Sequence, residues 1–288
     1  MLYLGIDENG YGPIMGPLVV TGISGTGDNE TWPEDIFDSK RLFSSRSSFS
    51  KIEKIALSIF KIAYARFPFT YNELFEQTFE CINITSGICW KNFPEIPFST
   101  DKKDIEIYAT NLHNFLNKNN IRLVAIHSQV LCVKEFNNLC RKNLKKDFIN
   151  YLMFEKIILK HQKDYNHIAV KAGKIGGRNH YEKFLNNGFC NWEICCKKED
   201  KKVSEYLVNK DSKQIRLSFL NNIESVSFLG VLAGIYGKYI RELFMIAINK
   251  SLCTERFISG YRDAYTRQLV TQMNIEDTGF EHCLCRIK

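Results

Sequence analysis

Asp7 and Glu8 stand side by side after an apolar run at residues 1–6 and before Gly10, Gly12, Pro13, Gly16 and Pro17. Adjacent carboxylates offer hard oxygen donors, which suit magnesium or manganese. Neighbouring residues on a strand point to opposite faces. Both acids therefore reach one site only if the strand breaks between or just after them. The Gly10-x-Gly12-Pro13 sequence supplies such a break, because glycine tolerates positive φ and lets backbone approach a ligand. An isolated Asp-Glu pair is more often a strand-end acid beside a solvent-facing one, so the rest of the chain must decide.

Other chemistry-bearing residues are scattered. His127, His167 and His180 lack the spacing of a metal pair. The ten cysteines include no Cys-x-x-Cys, and in a chain this long without a secretory start they are expected as reduced thiols. No Gly-x-Ser-x-Gly or Cys–His arrangement argues for covalent catalysis. "GKIGGR" at 173–178 is not a P-loop, since it lacks the Gly-Lys-Ser/Thr ending. It could present amides to a phosphate at a helix start, or be a structural turn. Lys40, Arg41 and Arg46 follow the second strand and could meet phosphate. Lys238 and Arg241 lie three apart on one face of a helix.

These residues need elements to position them. "MLYLGID" and "GPLVVTGISG" read as buried strands joined by a tight turn. Residues 50–67 start as an amphipathic helix and run into a strand near 62–67. Helices follow at 72–82 and 104–118, then the strand "IRLVAIHSQVLC". The Lys-rich stretch 134–162 is mostly helical. "NHIAVKA", "WEICCKK" and "QIRLSF" are further strands, and 197–202 ("KKEDKK") is a solvated loop. Residues 225–249 form one long apolar helix whose Gly230, Ala233, Gly234 and Gly237 permit close packing, and a last helix covers 265–273. This order predicts an α/β fold, a mixed sheet covered by helices on both faces. The 288 residues are 44% hydrophobic, enough for a large core. The net charge of +7 favours an acidic partner such as nucleic acid. No apolar run reaches the ~20 residues of a membrane span, so no membrane is expected. A cytoplasmic monomer is the expectation.

The opening Gly5-Ile6-Asp7-Glu8-Asn9-Gly10-Tyr11-Gly12, then Gly16-Pro17-Leu18-Val19-Val20, resembles the start of the type 2 ribonucleases H (ribonuclease HII and HIII). Asp38-Ser39-Lys40 matches the family's Asp-Ser-Lys. Glu224, followed by Ala233-Gly234-Ile235-Tyr236-Gly237-Lys238-Tyr239-Ile240-Arg241-Glu242, resembles the family's late acid and helix. Gly260-Tyr261 resembles its Gly-Tyr turn. Four landmarks in order are more specific than any one, and they cover both ends better than 70–165.

The resemblance implies an RNase H-like domain over 1–250, with a divergent Lys-rich helical insertion at about 70–165. A small helical C-terminal part, 251–288, would follow. The implied activity is hydrolysis of the RNA strand of an RNA–DNA hybrid, with two Mg2+ or Mn2+ ions held by four carboxylates. Asp7, Glu8 and Glu224 carry over as catalytic and metal-binding positions. Gly10, Tyr11, Gly12, Lys40, Lys238 and Tyr261 carry over as substrate-binding positions. The Lys-rich middle would be an extra hybrid-contacting surface or a protein docking face.

Two departures stand out. The fourth acid should end the strand "HIAVKAG", where Gly173, or Lys171 in a shifted register, stands instead. Asp164, Glu182, Glu199 and Asp200 are the acids that could replace it. Tyr11 occupies a position that is usually Arg or Lys, which leaves junction cleavage open. A hybrid-binding module without catalysis is therefore the first rival. An actin-like kinase is the second, but Gly10-Tyr11-Gly12-Pro13 does not fit its phosphate loop.

Overall fold

A computed structural model of the protein describes residues 1–27, 49–79, 90, 92–276 and 281–287. Lys40, Arg41 and Arg46, and the Asp38-Ser39-Lys40 landmark with them, lie outside the described residues.

The seven strands are β1 (Leu2–Asn9), β2 (Leu18–Thr26), β3 (Arg122–Leu131), β4 (His167–Gly173), β5 (Glu193–Glu199), β6 (Val203–Lys210) and β7 (Lys213–Leu220). They form one sheet in the order β3-β2-β1-β4-β7-β6-β5. β1, β4 and β7 run parallel at its centre, and the remaining pairs are antiparallel. The expected mixed sheet is thus present.

Helices cover both faces, as expected. On one face lie α1 (Phe49–Tyr64), α2 (Tyr71–Thr78), α3 (Lys102–Lys118) and the long α7 (Phe228–Ser251). On the other lie α5 (Lys146–Asp164) and α6 (Glu182–Gly188), with α4 (Val133–Arg141) beside them. Strand alternation divides β1 between the two layers: Leu2, Leu4 and Ile6 enter the α5 side, while Tyr3 packs on the α7 side. A third, smaller cluster joins Met15 to the end of α7, Ile258 and Leu284. The C-terminal segments α8 (Ala264–Glu276) and α9 (Glu281–Leu284) follow it.

Some expectations fail locally. The strand near 62–67 is absent: α1 continues to Tyr64 and stops where Ala65 takes a positive φ of 55°. Ile62, Ala63 and Tyr64 still pack on the core, so helical burial prevails over β propensity. The stretch 134–162 is two helices broken at Asn143, φ 65°. The strand β6 was not anticipated, and the "KKEDKK" loop shrinks to the hairpin turn after Glu199. Cys283 is disulfide-bonded, unlike the all-reduced expectation, while seven described cysteines are free thiols.

The contact that positions the site is β1 against α7. The small residues of α7 lie along β1 as expected, with Asn9 Nδ2 donating to Gly234 O at 3.1 Å. A Cβ on Gly5 would come within 2.2 Å of the Gly230 nitrogen and 2.3 Å of the Leu229 carbonyl carbon. Helix and strand therefore touch backbone to backbone, and they run the same way. From Gly230 to Arg241 along α7, and from Gly5 to Gly10 along β1, the chain advances the same ~16 Å. Arg241 thus arrives at Gly10. Gly5→Ala is expected to push α7 off β1 and to cost about 3 kcal/mol, read as a lower urea midpoint with unchanged slope.

Candidate active site

The three parallel strands end together, and that edge carries the acids. Ligands of open α/β sheets bind outside such carboxyl ends. β1 delivers Asp7 and Glu8. β4 delivers Gly173, one step beyond the Ile6–Ala172 pair of the parallel register. β7 ends at Leu220, beside Gly173. The chain then turns at Asn222, φ 59°, into a short 3-10 turn, Ile223–Ser225, that holds Glu224. Ser227 caps α7 by accepting from the Gly230 amide at 3.1 Å. α7 therefore starts at Phe228, and Glu224 sits on the turn before it.

Asp7 and Glu8 are half-buried. Burial, then the neighbouring charges of Glu8 and Glu224, hold the Asp7 carboxyl well above the usual carboxylate range, and the Glu8 amide partly opposes this. Burial pushes Glu8 up to about 7. Two acids held together with raised proton affinity are poised to exchange a proton for a cation. Glu224 belongs to the same electrostatic group. Its carboxylate does not complete a cage, however: among the described residues no three His, Cys, Asp or Glu side chains converge to hold a metal ion.

Gly173 explains this. A Cβ there would lie 3.0 Å from Asp7 Oδ1 and 3.8 Å from Glu8 Oε2. Any side chain at 173 would enter the acid pair. Lys171 is one step back on the same face, paired with Gly5, and its ammonium donates to Val226 O at 3.3 Å. Of the two registers, then, Gly173 is the residue facing the acids. None of the acids that could replace it does so. Asp164 ends α5 before β4 begins, ~20 Å from Gly173 along the strand. Glu182 is exposed. Glu199 accepts from Tyr206 and pairs with His180 at 2.6 Å. Asp200 accepts from the Lys202 and Val203 amides at 2.7 and 2.8 Å.

The donor set fits one hard divalent ion on Asp7 and Glu8. Magnesium is commonly held by one or two carboxylates with substrate phosphate completing the shell. It does not fit a two-ion cage built from protein alone.

Beside the acids, the chain from Gly10 to Gly16 is clamped from three directions. Gly10 has φ 89°, and a Cβ there would meet Pro17 O at 2.6 Å. Arg286 donates to the carbonyls of Gly10 and Gly16. Gly260 O accepts from the amides of Ile14 and Met15 at 2.9 and 3.1 Å. Arg241 is buried, donates to Ser259 O at 2.9 Å, pairs with Glu242 at 3.1 Å and underlies the Tyr261 ring at 5.1 Å. Tyr261 itself is 50% exposed, with its ring available to a ligand. Gly12 is exposed, and a Cβ there would meet nothing within 4 Å. No internal packing accounts for a glycine at 12, whereas close approach from outside does.

Tyr11 is half-buried and packs on the turn that follows β4. Its hydroxyl lies where a Cβ on Gly176 would be 2.5 Å away, and the Lys146 ammonium stands 4.2 Å above its ring. The "GKIGGR" turn is thereby accounted for structurally. Gly176 makes room for Tyr11, the Lys174 ammonium is held by Asn179 and Asp200 O, and Arg178 pairs with Asp147. α6 starts only at Glu182, so the turn does not abut a helix N-terminus. Lys238 is half-buried on α7 next to Gly237, whose Cα faces Asn9 and Thr21. Although three apart, Lys238 and Arg241 differ in role, since Arg241 is committed to the fold. Sequence reasoning missed Arg286. It lies 276 residues from Gly10, in no motif, and nothing local marks it.

No protein-family model matches the chain, and no curated protein does. Solved structures do. Bst-RNase HIII in complex with Mn2+ superposes with a TM-score of 0.50 at 11% identity, over 100% of this chain and 66% of that one. RNase HII of Archaeoglobus fulgidus, in a complex with PCNA, gives 0.49 at 14% identity over 100% and 95%. Ribonuclease H2 of Pyrococcus horikoshii OT3 gives 0.46 at 12% over 99% and 92%. The likeness to Bst-RNase HIII, together with the mixed sheet layered on both faces, gives this chain an RNase H-like α/β fold.

Proposed function

We propose that this chain binds RNA–DNA hybrid across the open edge at Gly12 and Tyr261 and cuts its RNA strand with Mg2+ or Mn2+. The observation that carries this reading is the Asp7–Glu8 pair, with Glu224 adjoining, at the carboxyl ends of the parallel strands beside an exposed Gly12. Asp7 and Glu8 would hold the metal, and Glu224 would add charge or reach it through water. When bound, a divalent ion activates water and stabilises the leaving oxygen. The chain's own part is positional. The clamped Gly10–Gly16 segment presents backbone to a ribose 2′-OH, the group that marks RNA. Tyr261 would pack on a sugar, and Lys40 and Lys238 would meet phosphate. Tyr11 supplies no cation of its own at the motif centre, and the Lys146 ammonium beside it faces the Tyr11 ring; this favours cutting of general hybrid over single-ribonucleotide junctions.

Gly173 favours a second reading, a module that binds hybrid without cutting it. Cleavage of a labelled hybrid with Mn2+ separates the two. Asp7→Asn is expected to lower the rate by more than about 100-fold, with hybrid affinity in EDTA kept. Absence of any metal-dependent product from the wild type, with binding intact, would leave only the module.

A further inference from the structure

Behind the Gly10–Gly16 segment lies a cleft of about 590 Å³. Gly12, Pro13 and Ile14 form one wall, Phe136 and Cys140 of α4 another, and Lys145, Lys146, Arg262 and Arg286 supply the polar lining. Among the described residues no Asp or Glu lines it.

Four cations around one concavity repel one another. Lys146 records this: burial and then the charges of Arg286 and Arg262 make its ammonium easier to deprotonate. Arg286 is pushed down to about 9 by burial and by Arg241. The nearby acids are spent elsewhere, Asp147 on Arg178 and Glu242 on Arg241. Arg286 is occupied by the Gly10 and Gly16 carbonyls, which explains its presence. Lys145 and Arg262 have no such internal employment: both are exposed at the rim, and among the described residues no hydrogen bond or ion pair of either side chain accounts for their position. The floor adds a further donor set. α5 begins here with Lys145 as N-cap, whose side chain makes no capping bond; Asp147 takes the Phe148 amide at 2.9 Å, so the helix start adds at most the Lys146 and Asp147 amides beside the cavity.

We infer that this cleft is a phosphate subsite, taking a backbone phosphate of the nucleic acid strand that passes the Gly12 side of the acid pair. The inference rests on the hybrid-binding reading and extends it to a second anchoring point on the opposite wall of the same glycine segment. Gly12 is shared by both: it lines the cleft and is open to approach. One phosphate held by Lys145 and Arg262 would fix the strand's register relative to Asp7 and Glu8 without reading its bases.

The test is fluorescence anisotropy of a labelled hybrid in EDTA, where nothing is cut, across a series of salt concentrations. Lys145→Ala/Arg262→Ala is expected to weaken binding more than 10-fold at low salt. The slope of log affinity against log salt should become shallower by about 1 to 2, the share of one to two neutralised phosphate charges. Lys145→Arg/Arg262→Lys should restore most of both, which a merely structural role would not predict. Lys102→Ala/Lys103→Ala, at the exposed start of α3, should change neither. Unchanged affinity and slope in the first double variant would overturn the subsite and leave the hybrid reading standing. If the wild type binds no hybrid at all, that reading fails, and inorganic phosphate decides the cleft separately. Amide shifts of the first turn of α5 that follow phosphate in the wild type and not in the double variant support an anion site. No such shifts overturn it.

Discussion

Gly173→Asp is expected to tighten manganese binding by about 10- to 100-fold. The position needs no change of backbone, and its Cβ would enter 3.0 Å from Asp7 Oδ1 and 3.8 Å from Glu8 Oε2. The first distance is tight, but the atom that must yield is the free end of a side chain. A third carboxylate at ~4 Å from a dication gains several kcal/mol at the effective dielectric of such sites. Repulsion from the two resident acids and loss of hydration take back most of it. A net ~1.4 to 2.8 kcal/mol corresponds to the stated range. Calorimetric or paramagnetic titration with Mn2+ reads it directly. Lys171→Asp is the control, since Lys171 pairs with Gly5 and reaches Val226 instead. Equal affinity in Gly173→Asp and wild type would mean that residue 173 does not face the cation site.

The same variant should be less stable than wild type without metal, and the penalty should depend on pH. Asp7 and Glu8 have folded pKa values above their unfolded ones, Glu8 at about 7. Their burial therefore costs nothing below the unfolded pKa, where they are protonated in both states. The cost grows as pH rises through the folded value. A third acid enlarges it, so the thermal midpoints of Gly173→Asp and wild type should converge near pH 4 and diverge by pH 8. Saturating Mn2+ should reverse their order at pH 8.

Arg286→Ala is the second large effect, an expected loss of about 3 kcal/mol. The guanidinium makes charge-assisted bonds to the Gly10 and Gly16 carbonyls, and bonds to charged groups contribute a net ~1.5 to 3 kcal/mol each. Removal leaves two inward carbonyls without a donor. The backbone around Arg286 is anchored independently, by its own amide to Ile14 O at 2.8 Å and by Asn137 to Cys285 O at 2.8 Å. The damage should therefore concentrate in the glycine segment. Amides of Ile14 and Met15 should lose hydrogen-exchange protection far beyond the global change. Lys should recover less than half, because an ammonium lacks the planar fork that spans two carbonyls. Unaltered protection of Ile14 and Met15 in Arg286→Ala would show that the segment holds itself.

Parts of this arrangement were legible beforehand. An apolar run ending in two acids and a Gly-x-Gly-Pro is local information, and β1 with its abrupt end follows from it. The small residues of α7 announced a close helix–strand contact, because only glycine and alanine let backbones touch. Other features were illegible for an equally physical reason. Ile62 and Tyr64 carry β-branched and aromatic side chains, yet they complete α1 because the core lies on that side. "GKIGGR" has the composition of an anion-binding turn, yet Gly176 makes room for Tyr11, Gly173 faces the acid pair, and Lys174 and Arg178 are already paired.

By itself the sequence determined which residue types are present, most of the strand and helix order, and that two adjacent acids close the first strand before a glycine-rich turn. Only the tertiary structure decided that Gly173 rather than Lys171 faces Asp7, that Tyr11 packs on Gly176, and that Arg286 holds the glycine segment. The first kind of information has a period of two or 3.6 residues and is written locally. The second depends on the register of parallel strands separated by more than 150 residues, which is set by packing across the whole sheet.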